Sequence, residues 1–358
     1  MKKLLVHSSS HTYPVYIGEN VRFEAEHLLK KTYNSILIIT DEEVERRYRE
    51  GLEKFFPRSN VHWSIIPSGE ASKNANLFYQ LHTDAIINGL DRKSLIIALG
   101  GGVVGDLAGF VAATFMRGID YVQMPTTILA HDSSVGGKVA INHTLGKNLI
   151  GSFYPPRAVI YDTCTLQSLN LKEFRSGYAE IIKESLIADE EFFNQLLESD
   201  LSQISSQKLT EHLFKGIKIK ANIVEEDEKE AGSRMYLNLG HTLGHAMEAE
   251  LGYGVLTHGE AVAVGLLFSL HVSELHFSAK LPFRPLLHWI RANHYPLEHV
   301  QKFHTEAIIS RMKTDKKSVN KQVKMVLLEA VGKPALVEIT EDNLRVFLKS
   351  FAKRLVEE

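Results

Sequence analysis

Cysteine is almost absent: Cys164 is the only one in 358 residues. One thiol cannot form an intrachain disulfide, so the fold does not depend on an oxidising compartment, and a cytoplasmic protein is expected. Long apolar runs are missing as well. Stretches such as Ala261–Leu270 fall short of the roughly 20 residues that cross a bilayer. The apolar part of Met1–His7 is too short for a signal peptide, so no membrane partner is expected. Excess charge of one sign is also lacking. Lys and Arg total 41 against 43 for Asp and Glu, a net −2, so no global positive field points to nucleic acid. Anion recognition must come from local cations. There is no internal repeat and no low-complexity tract. The 44% hydrophobic and 23% charged content is that of a globular protein, and the length suits two domains.

What is present divides into two textures. Strand-like runs at Ser35–Thr40, Val61–Ile66, Ser94–Leu99 and Tyr121–Met124 alternate with helix-like runs at Glu42–Phe55 and Asn74–Asn88. Repeated strand–helix–strand units predict an α/β domain with a parallel sheet over residues 1–161. From 162 to 358 the period turns helical, at Lys172–Leu197, Leu209–Glu228, Met235–Leu251, Gly259–His276 and Glu341–Arg354. A short strand pair is expected at Val323–Leu328 and Ala335–Ile339. The second domain is therefore read as mainly α-helical.

Gly100, Gly102 and Gly105 fit G-x-G-x-x-G between a strand and a helix, followed by Asp106. Such glycines let the backbone approach a pyrophosphate, and the next helix turns its N–H groups towards the anion. The same pattern also serves as a plain tight turn, and here it follows the third strand. Asp41 ends an earlier strand, where a carboxylate could accept ribose hydroxyls, and Gly69, Glu70 and Lys73 form a second polar turn. Pro125–Gly151 gathers Thr126, Thr127, Asp132, Gly136-Gly137-Lys138, Lys147 and Asn148 downstream of Arg117. It lacks the P-loop pattern, but its glycines, hydroxyls and lysines suit an anion.

His241 and His245 lie four apart and share a helix face, and His258 opens the next helical run. Three histidines this close tilt towards a divalent metal. Thr242 follows His241, so the H-E-x-x-H motif of zinc hydrolases is absent. A carboxylate must complete the set, and spacing leaves Glu180, Glu248 and Glu260 open. Two histidines and one carboxylate would suit zinc first, with cobalt or manganese able to substitute. Lys183, Lys220 and Arg234 surround the region, with Lys316 and Lys317 later.

In order, Gly69-Glu70-Ala71-Ser72-Lys73, GGGVVGDLAGF from Gly100, RGIDYVQMPTT from Arg117, DSSVGGKVAIN from Asp132, LGKNLIG from Leu145, YAEIIK from Tyr178, LNLGHTLGHAMEAE from Leu237, HGEAVAVG from His258 and DKK from Asp315 span nearly the whole chain. Together they resemble the 3-dehydroquinate synthase family of sugar-phosphate cyclases. The resemblance implies a homodimeric lyase of the shikimate pathway. It would act on a small sugar-acid phosphate, with NAD bound by the N-terminal domain and a metal bound by the C-terminal one. It implies Glu180, His241 and His258 as zinc or cobalt ligands and His245 as a substrate or proton-relay residue. Lys138, Lys183, Lys220, Arg234, Asn238 and Lys316 match substrate contacts, and Arg117 the arginine that reaches phosphate. Asp41, Gly69, Glu70, Lys73, Gly102, Val103, Val104, Gly105, Asp106, Thr126, Thr127, Lys138, Lys147, Thr165, Leu166 and Ser168 match NAD contacts. Asp132 and Asn148 match groups at the cofactor–substrate junction. The implied reaction turns 3-deoxy-D-arabino-heptulosonate 7-phosphate into 3-dehydroquinate and phosphate by transient oxidation at C5, elimination, re-reduction and aldol closure. Rival readings are another cyclase, such as 2-deoxy-scyllo-inosose synthase, a polyol dehydrogenase that would release NADH, a metallohydrolase, and a nucleotide-binding regulator without metal.

Overall fold

The computed structural model describes residues 1–56, 60–252, 254–301, 304–314 and 322–358. In chain order the first elements are β1 (Lys2–His7), β2 (Thr12–Gly18), α1 (Ala25–Leu29), β3 (Ser35–Asp41), α2 (Glu42–Leu52), β4 (Asn60–Ile66), α3 (Ala75–Ile87), β5 (Leu95–Gly100), α4 (Gly102–Thr114), β6 (Asp120–Pro125), α5 (Ala130–Ser133), β7 (Lys138–His143), β8 (Gly146–Phe153) and β9 (Ala158–Asp162). There follow α6 (Leu171–Ala188), α7 (Glu190–Leu197), α8 (Ser206–Glu226), α9 (His241–Leu251), α10 (His258–Phe277), α11 (Phe283–Ala292), α12 (Thr305–Thr314), β10 (Gln322–Ala330), β11 (Lys333–Thr340) and α13 (Glu341–Glu357). The chain forms two compact units, one of residues 1–169 with 206–229, the other of 170–205 with 230–358. The domain boundary expected at 161/162 differs from this division in one substantial way. Helix α8 packs in the first unit, against β1, β2 and α5, because its apolar stripe of Leu209, Leu213, Ile217 and Val224 is buried there. Helical period alone does not say which core a helix joins.

In the first unit, among the described residues, seven strands form one sheet in the order β1-β2-β9-β6-β5-β3-β4, parallel except for β1 against β2. The central strands are apolar on both faces because both faces are covered. Leu37, Ile39, Ile96 and Ala98 point into one core with Leu81, Val104, Leu107 and Val111 of α3 and α4. The alternate residues Ile36, Ile38, Leu95, Ile97 and Leu99 point into the other with Ala25, Leu52 and Ile160. Strand β3 pairs with β4 on one side and β5 on the other. The chain therefore reverses its winding between β3 and β5, where open parallel sheets gather ligands. Thr40 registers with Leu99, so the next residues, Asp41 and Gly100, leave adjacent strands at the same sheet edge. The glycine turn lies on the third expected strand, yet spatially that strand flanks the first.

The second unit is a helical body carrying the β10–β11 pair. Helix α10 is buried nearly all round, with every residue from Gly259 to Ser273 inside. It is long and apolar enough to cross a membrane, but 78% of its most apolar window is buried in the protein, as befits a core helix. It packs on α6, α9, α11, α13 and β10. The run expected as one helix over Lys172–Leu197 breaks at Asp189, whose extended backbone (φ −153°) and carboxylate cap α7 through the Phe192 N–H at 2.8 Å. The helix expected from Met235 begins only at His241, because Gly240 turns left-handed at φ 81°.

Two glycines permit the closest packing. A Cβ on Gly259 would lie 1.8 Å from the Ser176 carbonyl oxygen, and one on Gly265 would lie 1.8 Å from that of Gly240. A Gly265→Ala protein is expected to lose about 3 kcal/mol by overpacking, read from its urea midpoint. A midpoint equal to that of the parent protein would show that this contact is not tight.

Candidate metal centre and nucleotide-facing turn

The metal candidates all fall in the second unit. Glu180 lies in the middle of α6, His241 opens α9 with His245 one turn on, and His258 opens α10. Glu180 Oε1 is 3.5 Å from His241 Nε2 and 3.3 Å from His258 Nε2. A tetrahedral ion with bonds of about 2.1 Å spaces its ligand atoms by about 3.4 Å, the spacing that Glu180 Oε1 keeps from each histidine nitrogen. The rings of His241 and His258 are 5.2 Å apart, and His245 is 5.2 and 5.6 Å from them. Among the described residues, the three histidines offer nitrogens within 4.8 Å of one another. His245 thus borders the same point.

The three carboxylates left open by spacing take different places. Glu248 Oε2 meets His258 Nδ1 at 3.0 Å, on the ring edge opposite Glu180. That is where an outer carboxylate orients a ligating imidazole. Glu260 turns away to the start of α10, where Oε2 accepts the Thr257 N–H at 3.0 Å and Oε1 accepts from Arg175 at 2.5 Å. Only Glu180 stands against both histidines. His241 Nδ1 lies 3.2 Å from the Leu239 carbonyl, which directs Nε2 towards Glu180.

Electrostatics separates the two imidazoles. Burial drops the His241 pKa to about 3; Glu180 opposes this, while Lys183, His245 and His258 add to it. His241 is therefore neutral, the form that binds a metal. At His258 burial also lowers the pKa, but hydrogen bonds to Glu180 and Glu248, and their charges, raise it to about 10. The pair of carboxylates favours positive charge at this point. Lys183, one turn after Glu180 and 1% exposed, forms an ion pair with it. Arg234 is buried at 2% exposure, and Asn238 donates to Glu230 Oε1 and the Met235 carbonyl, both at 3.0 Å. Lys316 and Lys317 lie outside the described residues.

The other candidates fall in the first unit. Gly102 begins α4 at the sheet edge, and Thr126 donates its N–H to the Gly100 carbonyl at 3.0 Å, fixing the turn beside β6. At Gly105 a Cβ would lie 2.7 Å from Gln123 Oε1, so a side chain there would push the Gln123 amide aside. Val104 is buried beneath the sheet and Val103 half-buried. Asp41 Oδ1 accepts the N–H groups of Glu43 and Val44 at 3.0 Å and the Ser68 hydroxyl at 3.1 Å. Lys73 is 4% exposed and bonds Asp106 and Asn148, each at 2.5 Å. Burial raises the Asp106 pKa, and Lys73 pulls it back. Asn142 donates to Glu70 Oε1 at 2.7 Å and accepts the Asn148 N–H at 3.0 Å. It ties the polar turn after β4 to the β7–β8 hairpin, and sequence reasoning missed it. Lys220 of α8 pairs with Asp132 at 2.9 Å. Thr165 and Leu166 are buried after β9, and Ser168 accepts from Tyr48 at 3.0 Å. Lys138 is exposed, Thr127 and Lys147 half-buried. Gly69 has φ 103°. Arg117 is exposed after Met116, and both hold left-handed backbone (φ 68° and 48°), strain of the kind that marks functional turns.

The structural likenesses define the class, a two-domain fold shared with sugar-phosphate cyclases. The structure of 2-deoxy-scyllo-inosose synthase complexed with carbaglucose-6-phosphate, NAD+ and Co2+ superposes with a TM-score of 0.89 over 98% of this chain and 100% of that one, at 26% identity. 2-epi-5-epi-valiolone synthase from Streptomyces hygroscopicus, with NAD+ and Zn2+ bound, shares the fold at TM-score 0.86 and 23% identity over 99% of both chains. Models of the 3-dehydroquinate synthase N-terminal and C-terminal regions match residues 63–176 and 177–318. The 3-dehydroquinate synthase of Oceanobacillus iheyensis is 54% identical over 356 residues, 99% of each chain. The chain belongs to the 3-dehydroquinate synthase family.

Glu180 and Glu248 raise the His258 pKa, so a divalent ion that takes this imidazole as a ligand at pH 7 is expected to displace its proton. Calorimetry of zinc binding at pH 7 in buffers of different ionisation enthalpy should register close to one proton released per ion. Binding without proton release would refute the pairing of His258 with Glu180 and Glu248.

Proposed function

We propose that this chain converts 3-deoxy-D-arabino-heptulosonate 7-phosphate into 3-dehydroquinate and phosphate, with NAD in the first unit and one divalent ion, zinc or cobalt, in the second. The observation that carries the proposal is Glu180 Oε1 standing 3.5 and 3.3 Å from the Nε2 atoms of His241 and His258, in a chain 54% identical to a named 3-dehydroquinate synthase. When bound, the ion supplies Lewis acidity at a substrate oxygen, and NAD+ accepts and returns a hydride.

The chain's own residues supply binding and orientation. Backbone N–H groups from Gly102 to Asp106 at the start of α4 face the pyrophosphate, where the helix dipole favours an anion. Asp41 uses Oδ1 to cap α2 and leaves Oδ2 for ribose hydroxyls. Thr126 and Thr127 follow β6, Thr165, Leu166 and Ser168 follow β9, and Lys147 comes from β8 of the hairpin, as further contacts to the cofactor. The Lys73–Asp106–Asn148 bonds hold the nicotinamide end, with Asp132 beside it. Lys183, Lys220, Arg234 and Lys138 fix the carboxylate and phosphate, and Asn238 fixes a hydroxyl. His245, one turn from His241, relays a proton, and Arg117 reaches the phosphate. The sugar-phosphate alternative is disfavoured by the gap between 26% identity to 2-deoxy-scyllo-inosose synthase and 54% to a 3-dehydroquinate synthase.

The protein is further proposed to act as a homodimer. The β7–β8 hairpin exposes Leu145, Leu149, Ile150 and Phe153, at 85, 64, 42 and 44%, an apolar strip of the kind that a second copy covers. Leu149→Lys should move sedimentation towards the monomer, and unchanged dimer mass would place the interface elsewhere.

Phosphate release should require NAD+ only in catalytic amount and should stop with a chelator. Steady NADH accumulation matching product would rule out the internal redox cycle. Glu180→Ala and His258→Ala should each lose bound metal and nearly all turnover. Stoichiometric metal at normal rate in either variant would show that the assigned ligands are not the ligands.

A further inference from the structure

Glu260 carries a buried charge that no substrate or metal role uses. It is 1% exposed and sits two residues after His258. Both of its oxygens are committed: Oε2 accepts the Thr257 N–H at 3.0 Å, and Oε1 accepts from Arg175 at 2.5 Å. In return the Thr257 hydroxyl accepts the Glu260 N–H at 3.3 Å. This is a reciprocal capping box. His258 lies inside it, as the first residue after the cap.

The other end of the ion pair matters as much. Arg175 belongs to α6, five residues before Glu180. The Arg175–Glu260 pair therefore ties the first turn of α10 to the helix that carries the carboxylate ligand. The neighbouring residue acts in the same direction: Ser176 Oγ accepts the Gly259 N–H at 3.1 Å. Tyr295 backs the arginine, donating its hydroxyl to the Arg175 carbonyl at 2.8 Å, with its ring 5.9 Å from the guanidinium.

We propose that Thr257, Glu260 and Arg175 are positioning residues that set the approach of His258 to Glu180, and thereby metal affinity, without touching the ion. The inference rests on the ligand set proposed above. Its physical basis is the uneven stability of α10. Every residue from Gly259 to Ser273 is buried, whereas His258, at the helix end, is only half-buried. In the first turn the Thr257 hydroxyl accepts the Glu260 N–H and Ser176 Oγ accepts the Gly259 N–H, while Arg175 holds the capping carboxylate in place. With Gly259 held against Ser176, loss of the cap loosens the helix end before it, and His258 is the residue there.

Cobalt serves as probe, since its visible bands report coordination geometry. Thr257→Val and Glu260→Ala, loaded with Co2+, should bind it roughly 10- to 100-fold more weakly, as for other outer-shell losses. Their bands should be altered, while urea unfolding changes little for Thr257→Val. Thr257→Ser, which keeps the capping oxygen, should restore both affinity and spectrum. If Glu260→Ala fails to fold because Arg175 is left buried and unpaired, the Thr257 variants decide. Co2+ affinity within twofold of the parent protein and unchanged bands in Thr257→Val, or no rescue in Thr257→Ser, overturn the inference. His258→Ala separates the two levels. If it too binds Co2+ like the parent, the ligand set itself is wrong. If it loses the ion while Thr257→Val does not, only the positioning role fails.

Discussion

Helix α10 lies so close to its neighbours that Gly259 and Gly265 have no room for a side chain. Each would place a Cβ 1.8 Å from a backbone oxygen, of Ser176 and of Gly240 respectively. The rest of the second unit depends on this approach. Ser176 is one turn before Glu180, and Gly240 immediately precedes His241. Residue 259 follows His258. One helix, packed at backbone distance against two others, therefore brings three donors from α6, α9 and α10 to one point. A close-packed interior transmits such a constraint with little give.

The first unit solves a different problem with the same economy of backbone. Its central strands spend both faces on core, so polar groups can gather only at the strand ends. The reversal of winding between β3 and β5 sets Asp41 and the glycine turn side by side there. Around that edge, Lys73, Asp106, Asn142, Asn148 and Glu70 satisfy one another. A buried ion pair of this kind adds little stability of its own but specifies one arrangement when every member is bonded.

Much of this was legible in the residues. The pattern of short apolar runs located β3 to β6, and helical period located α3 and α10 to within a residue and α2 and α13 to within three. It missed β1, β2, β7, β8 and β9. The hairpin of β7 and β8 carries glycine and lysine, which read as a loop, and β9 is only five residues long. It also ran α6 and α7 together, because Asp189 breaks the helix through a capping bond rather than through proline or glycine. The cap at Thr257 was readable as T-x-x-E before an apolar run, but nothing local says that Arg175 joins it.

By itself the sequence determined the two textures of the chain, the glycine turn, the three histidines and, through the ordered motifs, the family. Those features are local or linear, so composition and spacing carry them. Spacing left Glu180, Glu248 and Glu260 open; the resemblance pointed to Glu180, and the tertiary structure sets it against both histidines, while only the tertiary structure decided that α8 belongs with the first unit and that β5 lies beside β3. Each of these depends on contacts between residues far apart along the chain, and neither period nor spacing encodes which buried face meets which.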